Sequence, residues 1–266
     1  MPQIKHIKNA LLLTMTMGLL ALAWPQPPAS TTGSVNPVPI LVELYTSEGC
    51  SSCPPADAFL QTLDQQPVPG VEMIVLSEHV DYWNHVGWKD PFSSSFYSDR
   101  QSVYGRRFGL SEVYTPQMVL DGAEQFNGSD RDAAGKAFTK AVTAEKIAVH
   151  VTAITVESAN TLHAHLEAGP LPASRGNSSA EVYVVVALNH AESQVARGEN
   201  AGRTLTHTAV AENMTKLGEI RAGQGFNQDI QLKLKSGLNP DNLRLVAFVQ
   251  EAHQGRVLGA TAQPVK

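Results

Sequence analysis

An α/β domain followed by an antiparallel β-sandwich is the fold class that the sequence predicts, and three observations support it. An apolar run at 39–45 leads into a Cys-x-x-Cys turn, a helix-patterned segment at 56–63 and a second apolar run at 71–77. Strand, helix and strand at this spacing form a βαβ unit, whose strands pair in parallel through a right-handed crossover. From residue 147 onward, short runs alternate apolar with polar residues, which is typical of antiparallel sandwiches. A chain of 266 residues with 42% hydrophobic content is long enough for two such domains.

The beginning of the chain indicates export. Lys5 and Lys8 precede an apolar run that ends near a small-residue cleavage site, so residues 1–23 are predicted to be a signal peptide. Residues 24–37, rich in Pro, Ser and Thr, are the predicted tether. Because the apolar run is shorter than the ~20 residues that cross a bilayer, no stable membrane span is expected after cleavage. The mature protein is therefore expected in the periplasm or outside the cell.

The charge of the chain excludes one class of partner. Twenty basic and 25 acidic residues give a net charge of −5 and a pI of about 6.0. A nucleic-acid-binding protein would instead carry a basic patch or stripe, so no nucleic-acid partner is expected. The sequence has no phosphate-binding glycine loop, and no organic cofactor is implied.

The chain has two cysteines, Cys50 and Cys53, and both stand at the predicted start of the first helix. A cysteine there faces unpaired backbone N–H groups and the positive end of the helix dipole, which favour the thiolate. Cys50 is therefore the candidate nucleophile, and Cys53 is the candidate resolving thiol, the more buried of the two, which attacks a mixed disulfide. Such a pair exchanges thiols and disulfides with exported proteins and is reset by a membrane redox partner.

Two other interpretations of the cysteine pair stay open. A copper- or zinc-binding protein would use Cys50 and Cys53 together with His79 or His85. A noncatalytic secreted binding module would use the disulfide as a staple worth about 2 kcal/mol. Exported proteins meet an oxidising compartment, but one disulfide is too few for a disulfide scaffold. This favours thiol–disulfide exchange, and the sequence leans towards an enzyme.

Residues 78–92 form the most unusual segment, since they hold two of the three tryptophans, two histidines, two aspartates and a lysine. The segment follows the second predicted strand, so it lies at the carboxyl end of the sheet on the same side as Cys50. Trp83 and Trp88 are predicted to bind substrate in a wall beside the cysteines. The alternative is a loop held by aromatic packing whose polar side chains are solvated.

Three further features complete the predicted order of elements. The Thr115–Pro116 bond, before a short apolar strand, is a candidate cis peptide. A helix after an N-cap at Ser129 or Asp130 closes the first domain, predicted at 38–146, and the sandwich takes 147–266. The long polar connection 189–213 either crosses solvent or folds back over the cysteine cleft, because ligand sites favour domain interfaces.

Several of these segments are similar to a bacterial family of exported thioredoxin-like proteins classed as a domain of unknown function. They include the Cys-Ser-Ser-Cys turn and the Thr-Pro-Gln-Met loop, and they lie at 43–57, 79–84, 87–92, 115–122 and 202–207. More broadly, the cysteine turn and the Thr-Pro loop resemble the thioredoxin superfamily. The match covers nearly the whole mature chain.

The resemblance implies a thioredoxin-like fold for the first domain, with Thr115 and Pro116 beside the cysteines and the Thr115 backbone paired with bound polypeptide. It also implies that Glu43, the nearest match to the buried acid of thioredoxins, accepts a proton from Cys53. The resemblance does not identify a substrate. Two serines replace the usual Gly-Pro between the cysteines, and since these residues tune the redox potential, the direction of electron flow stays open.

Overall fold

The computed structural model describes residues 37–157, 160–175 and 178–265, and more of these residues are in strands than in helices. The predicted signal peptide and nearly all of the predicted tether lie outside the described residues. The first half of the described chain contains β1 (Val38–Thr46), α1 (Pro54–Gln65), β2 (Val71–His79), α2 (Ser95–Arg107), β3 (Gln117–Leu120), β4 (Glu124–Asn127) and α3 (Arg131–Ala141). The second half contains β5 (Val149–Glu157), β6 (Thr161–Ala168), β7 (Ser179–Gln194), β8 (Thr204–Arg221), β9 (Phe226–Lys233), β10 (Leu243–Glu251) and β11 (Val257–Pro264).

The strands form a mixed eight-stranded sheet and a separate antiparallel three-stranded sheet. The order in the large sheet is β11-β10-β7-β8-β2-β1-β3-β4, and that in the small sheet is β5-β6-β9. β1 and β2 are parallel, as the βαβ pattern predicted, and β2 is also parallel to β8 through the pair Ser77 and Val210. The other pairings in both sheets are antiparallel.

The central strand β1 is buried on both faces, which explains its continuous apolar run. Ile40, Val42 and Leu44 pack against α1 and α3 on one face, here called the α1 face. Successive side chains of a strand point to opposite faces. Leu41 accordingly packs on the other face against Tyr97 of α2, and we call this the α2 face.

The helix starts agree with local sequence rules. α1 begins with two prolines directly after Cys53, its N-cap residue, because the first-turn N–H groups that proline lacks have no helical partner. The Oδ1 atom of Asp130 accepts a hydrogen bond of 2.9 Å from the N–H of Ala133, so Asp130 rather than Ser129 caps α3. Within the described residues, no helix has the length and apolar character of a membrane span.

The large sheet contains strands from both sides of the predicted boundary after residue 146: β1 to β4 come before it, and β7, β8, β10 and β11 come after it. The boundary falls between α3 and β5. One apolar cluster joins Leu41 and Leu76 of the first half to Val185 and Phe248 of the second half. Another lies between the small sheet and strands β7, β8 and β10. The division into two domains stays a prediction.

The predicted connection 189–213 is mostly strand. β7 continues to Gln194 and β8 begins at Thr204, so the loop is confined to residues 195–203, here called the hairpin tip. The sequence did not predict these strand ends, because their polar residues do not form the apolar run of a buried strand. Several of their polar side chains, including His207 and Ser193, make hydrogen bonds or ion pairs with the chain around the cysteines.

Candidate functional site

The two cysteines are joined in a disulfide where β1 turns into α1. The Cys50 and Cys53 Cα atoms lie 5.5 Å apart, and the N–H of Cys53 donates a 3.2 Å hydrogen bond to the carbonyl of Cys50. Both cysteines have no exposed surface, whereas Ser51 and Ser52 between them are exposed. Cys53 is therefore not the more buried of the two, because the surrounding chain covers Cys50 as well.

The Thr115–Pro116 peptide is cis, as predicted, and it lies beside the first turn of α1. A Cβ atom placed on Gly128 would lie 3.0 Å from the Cβ of Ala56 and 3.2 Å from the Cβ of Pro116. The carbonyl of Pro116 accepts a 3.0 Å hydrogen bond from the N–H of Gly128. The proline thus packs close to the helix end that carries Cys53.

Both predicted tryptophans lie against the loop that leads to Cys50. The Nε1–H of Trp83 donates a 2.7 Å hydrogen bond to Thr115 Oγ1, and a Cβ atom on Gly49 would lie only 2.9 Å from the Cβ of Trp83. The Nε1–H of Trp88 donates a 2.6 Å hydrogen bond to Glu48 Oε2. Trp83 therefore links the cysteine loop to the proline loop. Substrate binding by either ring stays a prediction.

The hairpin tip folds over the cysteine turn, which confirms the second of the two alternatives for the long connection. The Nδ2 atom of Asn200, a fully buried residue, donates to the carbonyl of Glu48 at 2.8 Å and to that of Cys50 at 3.0 Å. Glu199 Oε2 accepts a 3.1 Å hydrogen bond from the N–H of Ser51. These bonds tie the tip to the main chain on both sides of Cys50.

A buried ionic cluster lies beside the disulfide on the α1 face, and its centre is His207. Its Nε2 atom is 3.3 Å from Glu48 Oε1, and its Nδ1 atom is 3.8 Å from Asp57 Oδ1. Glu48 also accepts a hydrogen bond from the hydroxyl of Ser193. Burial lowers the pKa of His207, but the two carboxylates outweigh it and raise this pKa to about 10. The imidazole therefore carries a positive charge at neutral pH.

His79 and Asp90 extend the cluster. His79 Nδ1 lies 2.7 Å from Asp90 Oδ2, which also accepts a 2.8 Å hydrogen bond from the N–H of Glu48. The His79 ring packs edge to face on His207 with centroids 4.6 Å apart. Burial raises the pKa of Asp90, but His79 and the backbone N–H groups of Glu48 and Phe92 together lower it below its ordinary value.

The two histidines of the metal interpretation lie in different surroundings. His79 is completely buried against Asp90, whereas His85 is exposed in a short 3₁₀ helix, Asn84–Val86. Across the described ranges, no group of three or more His, Cys, Asp or Glu side chains is arranged to hold a metal ion. The sulfurs of Cys50 and Cys53 are bonded to each other.

Glu43 lies on the α2 face, where it pairs with Arg100. Glu43 Oε1 is 2.6 Å from Arg100 Nη2, and Oε2 accepts a 2.7 Å hydrogen bond from the hydroxyl of Tyr104. All three residues are buried. Arg100 also lies 3.8 Å from Glu78, whose pKa is raised well above its ordinary value by burial and by the charge of Glu43. No hydrogen bond joins Glu43 to either cysteine among the described residues, so the structure does not bring this predicted site residue to the disulfide.

Sequence reasoning did not single out Glu48, Asp57, His207 or Asn200 as site residues. One signal was available, because Asp57 stands four residues after Cys53, a spacing that puts both on one side of a helix. His207 is separated from Glu48 by 159 residues. No local pattern encodes that contact, since it depends on the pairing of β8 with β2.

The fold and the site define a mixed α/β protein with a Cys-x-x-Cys disulfide at the start of a helix. The chain belongs to the family described as "Protein of unknown function (DUF1223)", whose model matches residues 41–250. The recognition of a family of unknown function is thereby confirmed, and the family itself names no activity.

Two solved structures have a similar fold. A protein from Agrobacterium tumefaciens, solved by X-ray crystallography, is 24% identical with a TM-score of 0.65, and the match covers 85% of this chain and 94% of that one. HBP35 of Porphyromonas gingivalis is 14% identical with a TM-score of 0.63, over 86% of this chain and 76% of that one. At these identities the likeness shows a shared fold alone. The comparison with curated proteins found no significant match.

Proposed function

We propose that this protein is a thioredoxin-like thiol–disulfide oxidoreductase of the cell envelope that acts on exported proteins through Cys50 and Cys53. The observation that carries the proposal is the disulfide at the start of α1 with the cis Thr115–Pro116 loop packed beside the same helix turn. Its substrates are the thiols or disulfides of exported proteins, and a membrane redox partner resets the pair. The site of action is the periplasm or the cell exterior.

The chemistry follows from the position of the pair. In the reduced protein, the Cys50 thiolate attacks a substrate disulfide, forms a mixed disulfide and releases one substrate thiolate, which takes a proton from solvent. Cys53 then attacks the Cys50 sulfur, re-forms the Cys50–Cys53 bond and releases the second substrate thiolate. The substrate gains two electrons and the protein loses them. With the opposite electron flow, the same steps run in reverse.

Access to the disulfide requires the hairpin tip to move, because both cysteines are fully buried. The bonds that hold the tip over the turn are those of Asn200 and the exposed pair between Glu199 and Ser51. Segments held by few bonds, some of them exposed, open locally at a small cost in free energy. We therefore assign substrate entry to the displacement of this tip.

A noncatalytic binding module with a structural disulfide is the second candidate, and the complete burial of Cys50 and Cys53 favours it. The two candidates differ in a turnover assay. The oxidoreductase accelerates the reduction of insulin disulfides by dithiothreitol, and the variants Cys50→Ser and Cys53→Ser lose this acceleration. A wild-type protein without activity, or a Cys50→Ser variant that keeps it, would contradict the proposal.

The metal interpretation is tested separately. Metal content of the purified, fully reduced protein is measured by elemental analysis after incubation with copper(I) or zinc and gel filtration. The oxidoreductase proposal expects no stoichiometric metal. One tightly held ion per chain, lost in both His79→Ala and Cys50→Ser, would support a metal carrier instead, since thiolates suit both metals.

A further inference from the structure

We propose that Asp57, held in place by His207, accepts the proton of the Cys53 thiol when Cys53 attacks the mixed disulfide. This inference rests on the proposed function and names the acid–base group of the same site. The sequence resemblance gave this role to Glu43. Glu43 lies on the α2 face in an ion pair with Arg100, with the β1 backbone between its carboxylate and α1.

Asp57 is close to Cys53 along the helix. Its N–H donates a 3.1 Å hydrogen bond to the carbonyl of Cys53, and residues four apart in a helix present their side chains on the same side. Asp57 is 94% buried, since only 6% of its surface is exposed. Its Oδ1 atom has no hydrogen-bond partner among the described residues. A buried carboxylate oxygen with a free lone pair, one helix turn from a buried cysteine, is suited to take the proton of that cysteine in the reduced protein.

Charged groups from several elements surround Asp57. From β8, the positively charged His207 ring places Nδ1 3.8 Å from Asp57 Oδ1, beyond hydrogen-bonding distance but within ion-pair range. On its other side the ring meets Glu48 from the loop before Cys50, and behind it lies the His79–Asp90 pair. One further charge, Arg203 of the hairpin tip, lines the same pocket as Asp57. The Asp57 side chain therefore lies within ion-pair range of a buried cation, which holds it at the helix turn that carries Cys53.

The structure also provides a route for the proton to leave. Asp57 lines a pocket of about 150 Å³ between the start of α1 and residues 203–206. The pocket is open to solvent and is bordered by Arg203 and Thr204. Asp57 thus contacts the backbone of the buried Cys53 and also lines a pocket that opens to solvent. A proton taken from Cys53 passes from Asp57 to water there.

The Cys53 S–H bond breaks and its proton goes to an Asp57 carboxylate oxygen, while the Cys53 sulfur forms a bond to the Cys50 sulfur. The bond between Cys50 and the substrate sulfur breaks, and the substrate leaves as a thiolate. The cysteine pair is oxidised and the substrate is reduced. Asp57 then releases the proton to the pocket.

The test uses the full mature protein, reduced and mixed with DTNB in a stopped-flow instrument. Attack by Cys50 releases one thionitrobenzoate, and resolution by Cys53 releases a second, so the two steps appear as separate phases. Between about pH 6 and pH 8, below the ordinary thiol pKa of about 8.5, the wild-type second phase is expected to depend weakly on pH. Asp57→Asn is expected to slow this phase roughly 100-fold at the lower pH. Its rate should then rise about tenfold per pH unit, because the rate follows spontaneous thiol ionisation.

Three variants sharpen the result. His207→Gln removes the cation that holds Asp57 in place, so the second phase should be slower than in wild type but faster than in Asp57→Asn. Asp132→Asn, an exposed aspartate in the first turn of α3, is the matched control and should behave like wild type. Glu43→Gln tests the residue that the resemblance implied. Thermal unfolding of each variant confirms that it is folded.

The outcomes separate the inference from the proposed function. No release of thionitrobenzoate from the folded wild-type protein would overturn both. Normal biphasic release with an Asp57→Asn second phase like that of wild type would overturn only the role of Asp57. A steep pH dependence that appears in Glu43→Gln instead would return the role to Glu43.

Discussion

Two buried ionic clusters lie on opposite faces of β1, and each is centred on a single cationic residue. On the α1 face, His207 lies between Glu48 and Asp57 beside the cysteine turn. On the α2 face, Arg100 is the cation shared by Glu43 and Glu78. Buried charges are costly when a partner is removed. The first cluster therefore affects the cysteine site and the pH dependence of stability, and the second affects the stability of the fold at neutral pH.

Replacing Arg100 with methionine is expected to destabilise the protein by about 3–5 kcal/mol, because Glu43 and Glu78 would stay buried without a cation. Urea unfolding followed by circular dichroism measures the loss. Arg106→Met, at an exposed position on the same helix, is the matched control and should change stability by less than about 0.5 kcal/mol. Equal, small effects of both substitutions would contradict this account of the α2 face.

His207 is expected to make stability depend on pH in the alkaline range. Its folded-state pKa, about 10, lies above the ordinary value of 6.5. Protonation therefore favours the folded state: the full contribution is present below pH 6.5 and is lost as pH rises towards 10.

Urea unfolding free energies across this range should fall with pH in the wild type and fall less steeply in His207→Gln. His190→Gln, at an exposed position on β7, serves as the control and should keep the wild-type slope. Identical slopes in wild type and His207→Gln would show that the imidazole gains no proton on folding.

At the scale of elements, the long β7–β8 hairpin determines access to the disulfide. Its strands extend past the core of the sheet, and its tip binds the carbonyls of Glu48 and Cys50 through Asn200. Gly198 in the tip packs closely against Trp88, because a Cβ atom added to Gly198 would lie only 3.3 Å from the Cβ of Trp88. The tip is therefore fitted to the tryptophan segment as well as to the cysteine turn.

Asn200→Ala should expose the disulfide by removing both hydrogen bonds to the cysteine turn. Each lost hydrogen bond lowers the free energy needed to displace the tip by about 1 kcal/mol. A water-soluble phosphine should therefore reduce the disulfide of Asn200→Ala roughly tenfold or more faster than that of wild type. Thiol release is followed by alkylation and mass spectrometry. Asn213→Ala, an exposed asparagine on β8, is the control. Unchanged reduction in Asn200→Ala would mean that the tip does not control access.

The extent to which the sequence predicts this molecule depends on how local each feature is. The βαβ unit, the Asp130 cap and the cis Thr115–Pro116 peptide follow from short patterns, and all three are present. The position of β8 beside β2 does not follow from a short pattern, because the two strands are far apart in sequence and meet at a single residue pair. The Glu48–His207 contact depends on that pairing, so most of the ionic cluster lies beyond local pattern reasoning.

At the scale of the whole molecule, the large sheet joins the two predicted domains. The apolar cluster on the α2 face draws residues from β1 and β2 and also from β7, β10 and β11. Residues 38–146 alone would expose the apolar surface that these later strands cover. Because both halves of the chain contribute to this apolar cluster, neither half is expected to unfold without the other.

Thermal unfolding of the mature protein is accordingly expected to be a single cooperative transition. Scanning calorimetry should give equal calorimetric and van't Hoff enthalpies, and the near-ultraviolet and far-ultraviolet circular dichroism signals should change together. Two separated transitions, one for each of the predicted ranges 38–146 and 147–266, would show that the shared sheet does not couple the two halves.

The reduction potential of the Cys50–Cys53 pair tests the central claim most directly. The mature protein is equilibrated in glutathione buffers of graded composition, and its thiols are trapped by alkylation and counted by mass. A potential between about −120 and −270 mV, the range of disulfide-exchange enzymes, is the result that we expect. A potential below about −300 mV is that of a structural disulfide, and it would contradict the oxidoreductase and leave a binding module.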